Sequence, residues 1–255
     1  KIAESAPQSN VYLRMKVPDK ESLFPLSTKF GAEPYHAASL FEIAKELGLN
    51  PCGIAFHVGS QSQNTSSWRE GLTMARRTID SLSLHGYNIK TVNIGGGFPS
   101  PYPNSEMSTE ELCVEISSIL KILDFNDVRI LAEPGRAISG SAGAIECTVI
   151  GRAPRGNEEW LFLDVSAFHG FMESLQTNCS IKYKFENLSE NGEEKEFTVS
   201  GPTCDSQDLI GVKVKLPTKT KIGDRIRIYN TGAYCLEYAS NFNGFSPPQA
   251  LTTQG

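Results

Sequence analysis

Three residues whose chemistry suits the binding of a small molecule recur at a constant interval in the first half of the chain. His57, Gly95 and Glu133 follow one another at intervals of 38 residues. Each comes directly after a short apolar run that the hydrophobic pattern predicts to be a β-strand. Because parallel strands present their C-terminal ends on one face, we expect these residues to lie together, with Arg14 from the end of the first strand.

Each of these residues also has a simpler interpretation. Gly95, Gly96 and Gly97 could curl their amides around an anion such as a phosphate, or could be a plain strand exit. Glu133 stands in a Glu-Pro-Gly-Arg motif and could do no more than pair with Arg136 at a turn. A histidine alone is more often structural than catalytic. The equal spacing of the three motifs favours a shared chemical role.

Alternating strands and amphipathic helices are predicted to position these residues. Predicted strands cover residues 11–15, 54–58, 91–94 and 128–132. Predicted helices lie at residues 37–47 and 68–84, and a third begins at a capping box formed by Ser108 and Glu111. This alternation implies parallel strands joined by helical crossovers, in a doubly wound sheet or a barrel.

The pattern changes after residue 140 to short strands separated by turn-rich segments. Predicted strands cover residues 144–150, 160–165, 181–186, 197–200, 212–216 and 225–229, and predicted turns include residues 153–159 and 187–194. This half is therefore mostly β, and the domain boundary is expected between residues 138 and 145.

Composition excludes several classes of protein. The formal net charge of −5 excludes a strongly basic nucleic-acid binder. No apolar run approaches the roughly 20 residues of a membrane span. Six cysteines without C-x-x-C spacing predict neither a zinc site nor a disulfide framework, so we expect reduced thiols in a cytoplasmic protein and no metal.

Further motifs complete a recognisable set in the second half. They are GPTCDSQD at residues 201–208, GAY at residues 232–234 and FNGF at residues 242–245. Together with HVGS at residues 57–60, GGGFP at residues 95–99 and EPGR at residues 133–136, they resemble the pyridoxal-phosphate-dependent ornithine, lysine, arginine and diaminopimelate decarboxylases. The Cys-Asp pair is closer to the ornithine and lysine branch. This resemblance implies the C-terminal half of a (β/α)8 TIM barrel in residues 1–140, followed by a mostly β domain in residues 141–255.

The resemblance also implies a cofactor, pyridoxal 5'-phosphate (PLP), and its binding residues. Glu133 would partner the protonated pyridine nitrogen, and His57 would cover one face of the ring. Arg14 would lie near the cofactor. The implied phosphate cradle consists of Gly95, Gly96, Gly97, Ser60, Gly135, Arg136 and Tyr234.

A substrate site shared between two subunits is implied as well. Cys204 would protonate the carbon that loses carbon dioxide, and Asp205 would hold the distal ammonium of a cationic amino acid. Phe242 would help to close the pocket. Because Cys204 and Asp205 reach into the partner subunit in this family, a homodimer is expected.

Two departures from the family pattern leave alternatives open. In residues 168–177 the aspartate that reads the distal amine is not at the matching place, and spacing alone suggests Glu173 instead. Ornithine, lysine, arginine and diaminopimelate therefore all remain possible substrates. The family's Schiff-base lysine, in a Tyr-Ala-Val-Lys type motif, does not occur, and only four of eight barrel strands are found. We expect either an upstream polypeptide that supplies them or a relative that never had the lysine.

Three hypotheses of function follow. The favoured one is a decarboxylase of basic amino acids, most consistent with ornithine or lysine. The alternative is a non-catalytic homologue that acts by binding a regulatory protein, although such a protein has no need of a cofactor cradle. An amino-acid racemase on the same barrel fits less well, because GPTCD and FNGF belong to the decarboxylase pattern.

Overall fold

The computed structural model describes residues 1–252, which form two compact units. The first unit contains Lys1–Pro99 and Glu106–Gly135. The second contains Ser100–Ser105 and the chain from Arg136 onward. The chain therefore passes between the units at residues 99–100, 105–106 and 135–136. None of the helices in residues 1–252 has both the length and the apolar character needed to cross a bilayer.

The first unit is built on a parallel sheet of four strands in the order β1-β3-β5-β6. These strands are β1 (Asn10–Arg14), β3 (Asn50–Ala55), β5 (Thr91–Asn93) and β6 (Arg129–Leu131). A small antiparallel pair, β2 (Ser22–Phe24) and β4 (Ser60–Ser62), lies outside this sheet. Neighbours in the sheet are thus neighbours in the sequence of βα units, as in one half of a (β/α)8 barrel.

Helices join the parallel strands of this unit. They are α2 (Ala37–Glu46), α3 (Ser66–Leu84) and α4 (Thr109–Ile122), preceded by a short α1 (Ile2–Ser5). The capping box of α4 is present, with the Ser108 hydroxyl accepting from the Glu111 N–H and the Glu111 carboxylate accepting from the Ser108 N–H. The longest helix, α3, buries Trp68 and Leu72, and the Trp68 indole donates to the Ile94 carbonyl at 3.3 Å. This bond fixes α3 against the end of β5.

The second unit is a six-stranded sheet in the order β11-β10-β8-β7-β12-β9. Its strands are β7 (Ala144–Arg155), β8 (Glu158–Leu163), β9 (Phe185–Asn187), β10 (Glu194–Ser200), β11 (Leu209–Pro217) and β12 (Arg225–Tyr229). All pairings are antiparallel except β8 with β10. Val149, Leu161, Phe197 and Ile226 are almost fully buried in its core. Two short helices, α5 (Gly135–Ser139) and α6 (Met172–Gln176), precede and interrupt this sheet.

Two segments of the second unit differ from the sequence prediction. Residues 153–159, predicted as a turn-rich segment, are mostly strand, because β7 and β8 are joined by a two-residue turn with Gly156 at φ +62°. Of the strand predicted over residues 181–186, only residues 185 and 186 are strand, at the start of β9. Ile181 and Tyr183 are buried in alternation, as in a strand, but they pair with no neighbouring strand.

Candidate active site

The three-glycine turn after β5 is a closely packed backbone structure. Gly95 and Gly97 have φ values of +69° and +105°, in the left-handed region that favours glycine. A Cβ atom at Gly96 would lie 2.7 Å from the Glu133 carbonyl oxygen and 2.9 Å from His57 Nε2. The turn therefore needs glycine for its conformation at two positions and for space at the third.

The His57 side chain lies against this turn in the first unit. Its Nδ1 accepts a hydrogen bond from the Gly59 N–H at 3.1 Å, so the neutral ring carries its proton on Nε2, the atom beside Gly96. Burial lowers the pKa of His57, and the positive charge of Arg14 lowers it further, against the opposing charges of Glu133 and Asp19. The environment thus favours a neutral imidazole.

Glu133 is joined to the glycine turn through two sets of hydrogen bonds. Its N–H donates to the Gly95 carbonyl at 2.9 Å. Its Oε1 accepts from Asn93 Nδ2 at 2.6 Å, and Asn93 Oδ1 accepts in turn from the Gly95 N–H at 2.9 Å. The Glu133 side chain is exposed, so an oriented carboxylate is available to a ligand.

Arg14 and Ser60 occupy less enclosed places in the same unit. Arg14 ends β1, is half-buried, and places its guanidinium carbon 5.0 Å from the centre of the Phe30 ring. Its charge also acts on His57. Ser60 begins β4, three residues after His57. Of the predicted residues, the first unit thus brings together His57, the glycines and Glu133, with Arg14 near enough to influence His57.

Arg136 lies in a buried network of the second unit. Its guanidinium donates to both carboxylate oxygens of Glu173, at 2.8 and 2.5 Å, and to the Tyr102 hydroxyl at 3.1 Å. The ring of Tyr234 lies 4.5 Å from the guanidinium carbon. Burial opposes the charge of Arg136, but the hydrogen bonds and charge of Glu173 outweigh it and raise the Arg136 pKa.

Glu173 does not have the surroundings expected of a residue that reads the substrate. Only 3% of it is exposed, and both of its carboxylate oxygens are engaged by Arg136. The helix that carries it, α6, has only five residues. A carboxylate already neutralised by a bidentate arginine is a poor partner for a second cation, which argues against the role suggested by spacing.

Tyr234 is accessible and its backbone is strained. It has a φ of +57°, unusual for a residue with a bulky side chain, and 38% of it is exposed. The contact with the Arg136 guanidinium supports this conformation from one side of the ring. Strained residues of this type concentrate at functional sites.

Asp208 organises the loop that carries Cys204 and Asp205. Its buried carboxylate accepts from the Ala167 N–H and from both the N–H and the hydroxyl of Thr203. Cys204 is exposed next to this anchor, and Asp205 is half-buried. The loop therefore presents the Cys-Asp pair on a fixed base.

The FNGF segment packs against the same loop. Cys204 N–H donates to the Asn243 side-chain oxygen at 3.1 Å. The ring of Phe242 stacks on Phe168 with centroids 4.3 Å apart, and 37% of Phe242 remains exposed. The second unit thus brings the FNGF segment into contact with the loop of the Cys-Asp pair.

Comparison with known proteins identifies the family. The family model described as pyridoxal-dependent decarboxylase, pyridoxal binding domain, matches residues 1–140. The chain belongs to the pyridoxal-dependent decarboxylases. The resemblance seen in the sequence motifs is thereby confirmed, and with it the cofactor of the family, PLP.

Members of the decarboxylase family match nearly the whole chain. A lysine/ornithine decarboxylase of Selenomonas ruminantium is 34% identical over 96% of this chain and 61% of its own length. The structure of SrLDC in complex with PLP and cadaverine matches with a TM-score of 0.83 at 32% identity, over 96% of this chain and 61% of that one. The arginine decarboxylase of Paramecium bursaria Chlorella virus matches with a TM-score of 0.83 at 28% identity, over 96% and 66%. The chain thus spans about three-fifths of the curated relative.

The first unit fits the decarboxylase cofactor in shape and chemistry. The three consecutive glycines of the turn carry no side chains, so an anion can approach their backbone closely, as in a phosphate cradle. Glu133 offers an oriented carboxylate to a pyridine N–H, and His57 offers a flat neutral ring. These are the donor and acceptor groups that PLP needs.

Several residues that organise the candidate site were not singled out from the sequence. Asn93 orients Glu133, Tyr102 holds Arg136, and Asp208 anchors the Cys204 loop. Asn93 could have been found, because it is a polar residue between apolar residues of a predicted strand, two residues before the glycines. Asp208 lay in the GPTCDSQD motif, which did not indicate its anchoring role, and Tyr102 gave no comparable signal.

Proposed function

We propose that this chain forms the larger part of a PLP-dependent decarboxylase of a basic amino acid, with ornithine or lysine the favoured substrates. The observation that carries this proposal is the cluster of His57, the glycine turn and Glu133 in the unit matched by the pyridoxal binding domain. Names of relatives support a basic amino acid, since they include lysine, ornithine and arginine decarboxylases. Arginine, and diaminopimelate from the motif resemblance, are retained as alternative substrates.

The residues that would hold the cofactor follow from the family motifs. The N–H groups of Gly96 and Gly97, rather than that of Gly95, which donates to Asn93, would bind its phosphate with Ser60, Gly135 and Tyr234. Arg136 is buried and engaged by Glu173 and Tyr102, so its role would be to support the ring of Tyr234.

When bound, PLP supplies a protonated ring that accepts the electron pair of the bond to the departing carboxylate. Glu133 would keep the ring nitrogen protonated, and the neutral His57 imidazole would cover one ring face without adding charge. Arg14 would add a positive charge nearby.

The second unit would act on the substrate. The exposed Cys204 thiol would deliver a proton to the substrate carbon after carbon dioxide leaves. Asp205 would hold the distal ammonium, and Phe242 would exclude water from the pocket. We propose that these three residues serve the site of a second copy of the chain, so that the active protein is a homodimer.

The open edges of the parallel sheet support a further partner. Within residues 1–252, a single bridge between Met15 and Ala32 is the only pairing on the outer edge of β1, and β6 has none. The apolar residues Leu40, Ile43 and Leu47 on or next to α2 are exposed. We propose that an N-terminal polypeptide supplies the remaining βα units and the lysine that attaches the cofactor.

The six free thiols fit a cytoplasmic location.

The decisive experiment combines this chain with the proposed N-terminal polypeptide. We expect the assembled protein to acquire visible absorbance on addition of PLP and to release carbon dioxide from ornithine or lysine. A Glu133→Gln variant should bind PLP more weakly. Absence of both the absorbance and the carbon dioxide with all four candidate substrates would overturn the proposal and favour the non-catalytic homologue.

A further inference from the structure

A buried histidine of the second unit faces the main chain of Phe242. His169 ends a one-turn helix (Ala167–His169), and only 1% of it is exposed. Its Nε2 lies 3.3 Å from the carbonyl oxygen of Phe242. Because a carbonyl oxygen can only accept a hydrogen bond, Nε2 carries a proton and is the donor. His169 thus ties Phe242 to a different part of the unit, whereas the Phe245 N–H that reaches the same carbonyl at 3.4 Å belongs to the same turn.

The residue before His169 holds the same segment at two further points. The Phe168 carbonyl accepts from the Ser240 N–H at 3.0 Å and from the Ser240 hydroxyl at 3.3 Å. The Phe168 ring stacks on the Phe242 ring, and the His169 ring lies 5.9 Å from the Phe245 ring. Residues 168 and 169 therefore hold the chain before, at and after Phe242.

The one-turn helix is itself fixed to the anchor of the Cys204 loop. The Ala167 N–H donates to the Asp208 carboxylate at 2.8 Å. The same carboxylate accepts from the N–H and the hydroxyl of Thr203, in the loop of Cys204. The helix of His169 and the loop of Cys204 therefore share one base.

We propose that His169 is a positioning residue that fixes the main chain of Phe242 and so directs its ring toward the substrate pocket. This inference rests on the proposed function, in which Phe242 closes that pocket. Stacking on Phe168 does not fix the ring in one place, because two aromatic rings pack in several offset arrangements. A hydrogen bond to the main chain has a preferred direction and removes this freedom.

The test compares His169→Leu with His169→Gln in the assembled protein. Both variants lose the ring contact with Phe245, but glutamine keeps an N–H donor at about the place of the His169 Nε2, whereas leucine has none. We expect kcat/KM for the basic amino acid to fall about tenfold in His169→Leu and to stay within about twofold of the unmodified value in His169→Gln. Equal losses in the two variants would overturn the proposal.

Thr220→Val is a matched control for lost stability. Thr220 is fully buried in the same unit, and its hydroxyl donates to the Pro217 carbonyl at 2.7 Å, in the turn between β11 and β12. Valine has a similar shape without this donor, so the variant should unfold at a lower urea concentration and keep its kcat/KM. A loss of kcat/KM equal to that of His169→Leu would assign the effect to stability and contradict the proposal.

A double variant tests whether His169 acts through Phe242. Once the ring is removed in Phe242→Ala, His169→Leu should lower kcat/KM no further. A further loss of about tenfold in the double variant would mean that His169 acts elsewhere. Unchanged kcat/KM in Phe242→Ala alone would instead contradict the role of Phe242 in the proposed function.

Hydrogen exchange measures the same restraint without an activity assay. The amides of residues 242–245 should exchange about tenfold faster in His169→Leu, because the segment opens more often. In His169→Gln and Thr220→Val they should exchange at the rate of the unmodified protein. Mass spectrometry of peptides that cover these residues measures the rates, and equal rates in all of these proteins would show that His169 does not hold the segment.

Discussion

The contrast between Glu173 and Glu146 shows how burial decides what a glutamate contributes. The Glu173 side chain is 4% exposed and has one bidentate arginine partner. Glu146 is 39% exposed and meets two arginines of β12, Arg225 and Arg227. Buried pairs lose much more than exposed pairs when one partner is removed, because the remaining charge stays out of water.

We therefore expect Glu173→Gln to lower the free energy of unfolding by about 3–5 kcal/mol. Glu146→Gln, the exposed control, should cause a much smaller loss. Urea denaturation of both variants measures the difference. If Glu173 read the substrate instead, its replacement would leave stability intact and change the relative turnover of ornithine and lysine.

At the scale of elements, the turn between β5 and α4 couples backbone shape to the site. Gly96 has no positive φ, so its need for glycine comes from space alone, unlike that of its two neighbours. The added methyl group of an alanine would push on the Glu133 backbone and on the His57 ring at once. A change in one turn should therefore displace two functional groups.

We predict that Gly96→Ala weakens PLP binding by about tenfold or more, because small displacements of binding groups are costly. The control is Gly86→Ala, since Gly86 has a φ of +80° but no heavy atom within 4 Å of an added Cβ. This control should lose some stability through backbone strain and keep its PLP affinity. Titration of the assembled protein with PLP measures both, and equal affinities would count against the described cradle.

The helices and strands were easier to predict from the sequence than the pairing of strands in the sheets. Hydrophobic periodicity and the Ser108 capping box indicated the helices and the parallel strands, because these signals are local. Apolar Ile181 and Tyr183 alternate with lysines in the sequence, and this segment was wrongly predicted to be a strand. Such alternation indicates which side chains are buried but not whether a partner strand exists.

In the predicted site too, sequence patterns indicate where residues lie but not which side chains pair. Strand order placed His57 and Glu133 near the glycine turn, because topology alone brings parallel strand ends together. The pairing of Arg136 with Glu173 and Tyr102 depends on side-chain directions across 37 and 34 residues of chain. Spacing along the sequence does not encode such directions, so Glu173 was assigned to the substrate.

For the whole molecule, the proposed sharing of sites between two copies can be tested by mixing two inactive variants. One is Glu133→Gln in the first unit, and the other is Cys204→Ala in the second. Random pairing makes half of the dimers mixed, and each mixed dimer has one intact site, so about a quarter of full activity should return. Carbon dioxide release from the refolded mixture measures this, and no recovery would mean that both residues serve the same copy.

The assignment of Ser100–Ser105 to the second unit has a consequence for exchanging parts between decarboxylases. This hexapeptide carries Tyr102, which bonds Arg136 and contacts the Tyr183 ring, and its neighbour Pro101 accepts a bond from Asn230. A chimera joined at a single point near residue 140 would combine a Tyr102 from one parent with a Tyr183 and an Asn230 from the other. The β unit is therefore transferable between relatives only when these six residues travel with it.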